Sequence, residues 1–310
     1  MPFTLIRGTY RVVGATAKGN QKGLAPDGDT VHFKPAKLSL MRQLTVLGTP
    51  LRTTSIGSAA LRLEGIDALE LHFPTGVKGG GETHQPRPLA DDARAFLTKT
   101  LGLDPVSYVP PKLLSVKPPV PNDGALGFIL SRSLDVHGRP VSFLFSGTPP
   151  AADGAPVTIS ASLLKKSLNY KAVLNGFAYP LFYDTLFSDL RDILRAATAE
   201  ARSTKRGLWK QDLSQTGVSV KNQDQLQTRG VIFPKLFRRL STYFANGHVG
   251  LGAFLSTAEL KQEQVQILDP AAAAFTNFTH VDNILDVKNN TIKLKYKPEF
   301  LIFVSKKKKQ

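Results

Sequence analysis

Leu61-Arg62-Leu63-Glu64-Gly65-Ile66-Asp67-Ala68-Leu69-Glu70 is the stretch on which the reading of this chain turns. Leu61 and Leu63 alternate with Arg62, so a short strand would carry two apolar side chains on one face and a guanidinium on the other. Gly65 ends that regularity. Asp67 and Glu70 follow three residues apart, close enough to address the same cation. Upstream, Asp27-Gly28-Asp29-Thr30 has the Asp-Gly signature of a tight turn, and Asp29 leaves it at the start of a strand, Thr30 to Phe33. Downstream, Asp135-Val136-His137-Gly138-Arg139 stands between two apolar strands, 127–130 and 141–145, with His137-Gly138 as their turn. Gly207-Leu208-Trp209 closes a late helix. These four segments offer three acids, Asp29, Asp67 and Glu70, and two arginines, Arg62 and Arg139. Two acids can hold a hard cation through oxygen, the third can position or deprotonate water, and two guanidiniums can clamp a phosphate and offset the charge that grows on it. The set suits cleavage of phosphodiesters.

The bulk numbers agree with a polyanionic partner. The chain has 310 residues, 42% of them hydrophobic and 21% charged, a globular composition. Lys and Arg outnumber Asp and Glu by 40 to 24, a formal charge of +16. That balance favours nucleic acid first and an anionic membrane surface second. The absence of cysteine excludes disulfides, thiolate metal sites and cysteine nucleophiles. No run approaches the ~18 apolar residues of a spanning helix, and the N-terminus lacks the charged start and apolar run of a secretory signal. The expected location is therefore cytoplasmic, nuclear or organellar in preference to secreted, with no membrane span.

Along the chain, residues 3–14 alternate as a strand, 38–47 read as partly extended, and 75–88 read as a loop. A helix is predicted from Leu89 to Leu101 with Gly102 as its cap, then a proline-dense loop or irregular edge strand over 109–121. Two helices follow, over 160–178 and 184–206, the second capped by Asp184 or Thr185 with Leu186, Leu190, Ile193, Leu194, Ala197 and Ala201 as its buried stripe. Trp209 is expected to anchor the chain on the core. Residues 215–228, polar and rich in Gln, read as a linker. Phe233 to Phe244 reads as a basic amphipathic helix, with Phe237, Leu240 and Phe244 against Lys235, Arg238 and Arg239. Residues 291–296 alternate strictly, as an edge strand would, and 301–304 form another strand. Four lysines, 306–309, precede the last residue. The helix 233–244 and this lysine run leave a membrane-surface or scaffold role open as a third class.

In order and spacing the four segments resemble the thermonuclease, or staphylococcal-nuclease-like, family. That pattern runs Asp-Gly-Asp-Thr, then Arg-Leu-x-Gly-Ile-Asp-Ala-Pro-Glu, then Asp-x-Tyr-Gly-Arg, then a late Gly-Leu-Trp. Here it stands as Asp27 to Thr30, Arg62 to Glu70, Asp135 to Arg139 and Gly207 to Trp209. The stretch Asn169 to Ala178 resembles the family's helix before the last one. The match spans about residues 5 to 210.

The resemblance implies an α+β fold: a five-stranded OB-fold β-barrel with three helices. Residues 1–212 would form it, with inserted loops at about 75–88 and 109–124, and residues 213–310 would add a small mixed α/β C-terminal extension. It further implies calcium-dependent cleavage of DNA and RNA with low sequence specificity. Asp29, Asp67 and the carbonyl of Ala68 would ligate Ca²⁺; Arg62 and Arg139 would hold the scissile phosphate; Glu70 would orient or deprotonate the attacking water. His137, Tyr179 and Tyr183 would contact the nucleotide, the tyrosines either by base stacking or, equally well, as core packing. The chain departs from the pattern at Leu69, where the family has Pro, at His137, where it has Tyr, and in a longer interval between Glu70 and Arg139. The competing reading is a nucleic-acid-binding OB-fold module without catalysis.

Overall fold

A computed structural model describes residues 2–269 and 278–305. The lysine run 306–309 lies outside the described residues. The architecture is α+β, with a nearly closed barrel sheet and, among the described residues, eight α-helices. The chain divides into two compact units, one made of residues 2–64 and 94–172, the other of 65–93 and 173–305.

The first unit is built on the barrel. The strand Phe3–Arg11 runs antiparallel to Ala125–Leu134, which runs antiparallel to Pro140–Ser146. Beyond Phe3–Arg11 lie His32–Pro35 and then Ala59–Ala60. Arg62–Leu63 pairs in parallel with Pro140–Ser146 at the other end. The two terminal strands of the sheet, 59–60 and 62–63, are thus consecutive in the chain, which brings the sheet close to closure. Gly8 and Gly127 face each other in register. A Cβ on Gly127 would stand 2.3 Å from the Tyr10 ring, and one on Gly8 2.7 Å from the Phe33 ring, so the paired glycines make room for these two packed aromatics. Asn169, fully buried at the start of the helix Leu168–Leu174, accepts from Leu144 N at 3.0 Å and donates to the carbonyls of Ser142 at 3.0 Å and Glu64 at 2.9 Å. One amide therefore satisfies three backbone groups where the barrel closes.

The second unit holds the long helix Ser188–Ser203, which buries Leu190, Leu194, Ala197 and Ala201 as its spacing predicts but leaves Ile193, expected in the same stripe, half-buried. It also holds a four-stranded sheet in the order Phe182–Tyr183, Leu301–Phe303, Gln264–Ile267, Phe278–His280, and a three-stranded one in the order Val218–Ser219, Thr291–Leu294, Leu285–Lys288. Trp209 is buried, with the Arg202 guanidinium 4.4 Å over its ring, and Arg202 in turn makes a two-pronged bridge to buried Glu299 at 2.7 and 2.8 Å.

Several local expectations are corrected. Residues 38–42 form a helix, and only Thr45–Val46 is extended. The expected helix over 160–178 is two helices, Ala161–Lys166 and Leu168–Leu174, broken at Ser167, whose hydroxyl donates to Leu164 O and accepts from Tyr170 N. The helix expected at 184 begins at Ser188. Asp184 is drawn instead to 303–305: its N–H donates to Phe303 O and its carboxylate accepts from Ser305 N. The expected linker 215–228 is structured, as Val218–Ser219 and the helix Gln223–Arg229 capped by Asn222. Its polar composition conceals Val218, Val220 and Leu226, which are buried. Thr291–Leu294 is the central strand of its sheet, not an edge, and so buries Ile292 and Leu294. No helix among the described residues is long and apolar enough to cross a membrane.

Candidate functional site

Of the residues singled out from the sequence, Asp29, Arg62, His137 and Arg139 belong to the barrel unit, and Asp67, Ala68, Glu70, Tyr179 and Tyr183 to the second unit. Each unit gathers its own set.

In the barrel unit the Asp27–Thr30 turn closes through Asp27 N to Thr30 O at 3.0 Å, and Gly28 N donates to the Asp27 carboxylate at 2.8 Å. Asp29, half-buried, accepts from the Thr30 hydroxyl at 3.2 Å, and its carbonyl accepts from Leu63 N at 3.4 Å. The turn is thereby tied to the strand that carries Arg62. Arg62 lies opposite Val141 in the parallel pairing, beside the hairpin that carries Arg139. That hairpin is organised by Asp135. Its buried carboxylate accepts from the backbone of His137 and Arg139, both at 2.9 Å, and from Arg139 Nε and Nη2, both at 2.8 Å. Burial pushes the Asp135 carboxyl up. The charge and hydrogen bonds of Arg139, with the charge of Arg62, outweigh burial and hold it below its ordinary value. Both arginines therefore act on one anionic centre, and both remain half-exposed. Gly138 sits at φ +77°, and a Cβ there would meet Pro50 O at 2.2 Å, so the turn requires glycine. His137 is exposed at its tip.

In the second unit the strand Ile66–Ala68 pairs antiparallel with Ala178–Pro180, placing Asp67 opposite Tyr179 and Ala68 opposite Ala178. Asp67 and Glu70 converge as the spacing suggested, but on an arginine. Arg238, from the helix Pro234–Ala245, donates Nη1 to Asp67 Oδ1 at 2.9 Å and Nη2 to Oδ2 at 2.8 Å, and Nη1 also reaches Glu70 Oε1. Burial works against the charged guanidinium; the Asp67 and Glu70 carboxylates outweigh it and raise its affinity for the proton well above the ordinary arginine value. Gln85, fully buried, holds this arrangement in register. Its side-chain oxygen accepts from Glu70 N at 3.2 Å, its own N–H donates to Glu70 O at 2.8 Å, and its Nε2 donates to Gly230 O at 2.7 Å and Ile232 O at 2.8 Å, just before the helix that carries Arg238. Gln85 and Arg238 were missed from the sequence. Arg238 reads in the sequence as part of the basic face of an amphipathic helix, and its only signal is three cations on a helix whose other positions are largely apolar.

The two other cations of that helix are engaged as well. Buried Lys235 contacts Glu263 at 2.6 Å, and Arg239 reaches Glu263 at 2.8 Å and Glu259 at 2.7 Å. Burial raises the Glu263 carboxyl, but Lys235 and Arg239 override it and bring it down to about 2. The helix is thus a hub of internal ion pairs, which removes the argument that it lies on a membrane surface.

The expectation that Tyr179 stacks on a base is corrected. Tyr179 is fully buried: its ring packs edge-on against Trp209 at 5.0 Å and Phe233 at 6.0 Å, and its hydroxyl donates to Asp212 at 2.8 Å. No face is left for a nucleotide. Tyr183 is half-buried, with its ring beside Phe303 and its hydroxyl accepting from Lys235 Nζ at 3.3 Å.

The resemblance places Asp67 in a calcium shell with Asp29 and the Ala68 carbonyl, and Glu70 at the attacking water beside it, so the arrangement bears on that ion. Both oxygens of Asp67 and one of Glu70 are already directed at a guanidinium. A calcium ion needs the same oxygens and six to eight ligands in all, so the pair as arranged does not fit it. Among the described residues no three His, Cys, Asp or Glu side chains group as a metal cluster. A scan of the chain against family models finds no match, and no curated protein matches it.

Proposed function

We propose that this chain is a staphylococcal-nuclease-like protein acting on nucleic acid, with hydrolysis of phosphodiester bonds in DNA and RNA at low sequence specificity as its activity. The reading takes the barrel as a five-stranded OB-fold with its helices, and rests on the ordered resemblance of four segments. The observation that carries it is the convergence of Asp67 and Glu70, three residues apart, on a single cation position. The grouping of Arg62 and Arg139 around Asp135 supports it. In this reading the two arginines offer planar donors to phosphate oxygens and offset the charge that develops on them, and Glu70 is the group that takes a proton from water. Calcium enters no step of this reading, because Arg238 engages both Asp67 oxygens and one of Glu70.

Arg238 also favours a second reading, binding without cleavage. If the acids are permanently neutralised from within, the +16 charge and the two half-exposed guanidiniums remain as a phosphate-binding surface.

One experiment separates the two. Plasmid and single-stranded DNA are incubated with wild type, Glu70→Gln and Arg62→Ala in chelator and in added calcium, and binding is followed in parallel by fluorescence anisotropy. Cleavage by wild type that is lost in Glu70→Gln, with binding retained, supports hydrolysis; equal cleavage by Glu70→Gln removes it. Absence of cleavage, with binding that weakens with salt and whose salt slope falls by about one in Arg62→Ala, supports the second reading. Neither cleavage nor binding defeats both.

A further inference from the structure

We infer that Arg238 is the resident cation of the Asp67–Glu70 pair, a guanidinium supplied by the chain's own helix in the position a divalent ion would take, so that the wild-type protein does not load calcium there. The inference uses the acid pair of the nuclease reading but not its activity. Three observations carry it. First, the guanidinium is bidentate on Asp67 and also reaches Glu70, so one group serves both carboxylates. Second, Asp67 is buried and Glu70 nearly so. Buried carboxylates require a counter-charge at close range, and a divalent ion added beside Arg238 would find the inward lone pairs taken and a positive neighbour already in place. Third, Arg238 is fixed from two sides. Gln85 ties the backbone of Glu70 to that of Gly230 and Ile232, and Lys235 and Arg239, flanking Arg238 on the same helix, are locked to Glu263. Withdrawal of Arg238 alone would take this shared counter-charge from both carboxylates. Withdrawal of the helix would break the Glu263 pairs as well.

Arginine is the residue suited to this role. Its planar fork matches the two oxygens of a carboxylate, and its charge is retained at every accessible pH. A lysine would supply a point charge without the fork. The arrangement also accounts for the motif's acids in a chain that does not need the metal: Asp67 and Glu70 anchor a helix, whatever else they do.

The test needs no nucleic acid, so it succeeds or fails independently of the cleavage assay. Wild type, Glu70→Gln and Arg238→Met are titrated with calcium by calorimetry, and their melting is followed with and without the ion. The expectation is that wild type shows no saturable calcium binding that Glu70→Gln abolishes. Arg238→Met, with the acid pair exposed to a new partner, should bind calcium at least ~10-fold more tightly than wild type and should melt at a higher temperature in its presence. Adding Asp67→Asn to Arg238→Met should abolish that rise. Arg238→Gln, which keeps an amide donor for Asp67, carries the same comparison if the Met variant is unfolded without calcium; recovery of its fold on adding the ion counts as support. Calcium binding by wild type that depends on Glu70 overturns the inference, as does the lack of any calcium response in both Arg238 variants.

Discussion

Single side chains in this protein are assigned by what surrounds them, and the same residue type has opposite uses. Tyr179 and Tyr183 stand four residues apart, yet Tyr179 is sealed between Trp209 and Phe233 with its hydroxyl on Asp212, and Tyr183 is half-buried beside Lys235. Tyr179→Phe should therefore cost about 1 kcal/mol of folding stability, one hydrogen bond in a site where Asp212 keeps Ser214 as a partner. It should leave nucleic-acid affinity unchanged. A stacking tyrosine cut back to Ala would cost about 1–3 kcal/mol of binding, but Phe keeps the ring, so Tyr179→Ala is the sharper companion: at matched folded fraction its affinity should equal wild type. Denaturant melts and anisotropy titrations check both, and a stable Tyr179→Ala protein with affinity reduced more than tenfold would restore the stacking role. At this scale the motif residues themselves were legible, because Asp-Gly, His-Gly-Arg and the acid pair are local patterns. Burial was not, because it depends on residues far along the chain.

At the scale of elements, the helix Pro234–Ala245 organises the second unit. Proline at its first turn starts it, Leu236, Phe237, Leu240, Tyr243 and Phe244 are buried, and its three cations each meet an acid distant in sequence. Its amphipathic period was readable; the partner of its charged face was not, since a salt bridge to Asp67 or Glu263 leaves no trace in periodicity. Glu263 gives this a pH dependence. Its carboxyl lies near 4.5 when free and is held at about 2 in the fold. A depressed folded-state value means that the stabilisation is complete above the unfolded value and is lost as pH falls from about 4.5 to about 2. Glu263→Gln should remove that part of the acid slope. At neutral pH it should also destabilise by about 3–5 kcal/mol, because buried Lys235 loses its counter-charge. Urea melts between pH 2 and 7 would show both effects, and parallel pH profiles for variant and wild type would refute the assignment.

For the whole molecule, the compact units do not follow the order of the chain. Residues 65–93, which carry Asp67 and Glu70, are grouped with 173–305. A chain ended at 212 lacks Phe233 over Tyr179, the Gly230 and Ile232 carbonyls that satisfy Gln85, and Arg238 on the acid pair. It should be poorly folded, with no cooperative melt and strong binding of an apolar dye; a sharp transition in the 1–212 fragment, seen by calorimetry, would show that it stands alone.

The amino-acid sequence alone determined the barrel strands, the long helix, the turn glycines and the identity of the five charged motif residues. These are short-range properties, written in alternation, helical spacing and turn chemistry. Only the tertiary structure decided that Asp67 and Glu70 face Arg238, that Tyr179 is core, that residues 215–228 are structured and that Thr291–Leu294 is flanked on both sides. In each case the deciding partner lies dozens to more than a hundred residues away. Charge compensation and burial are properties of proximity in space, and the order of residues along the chain does not specify them locally.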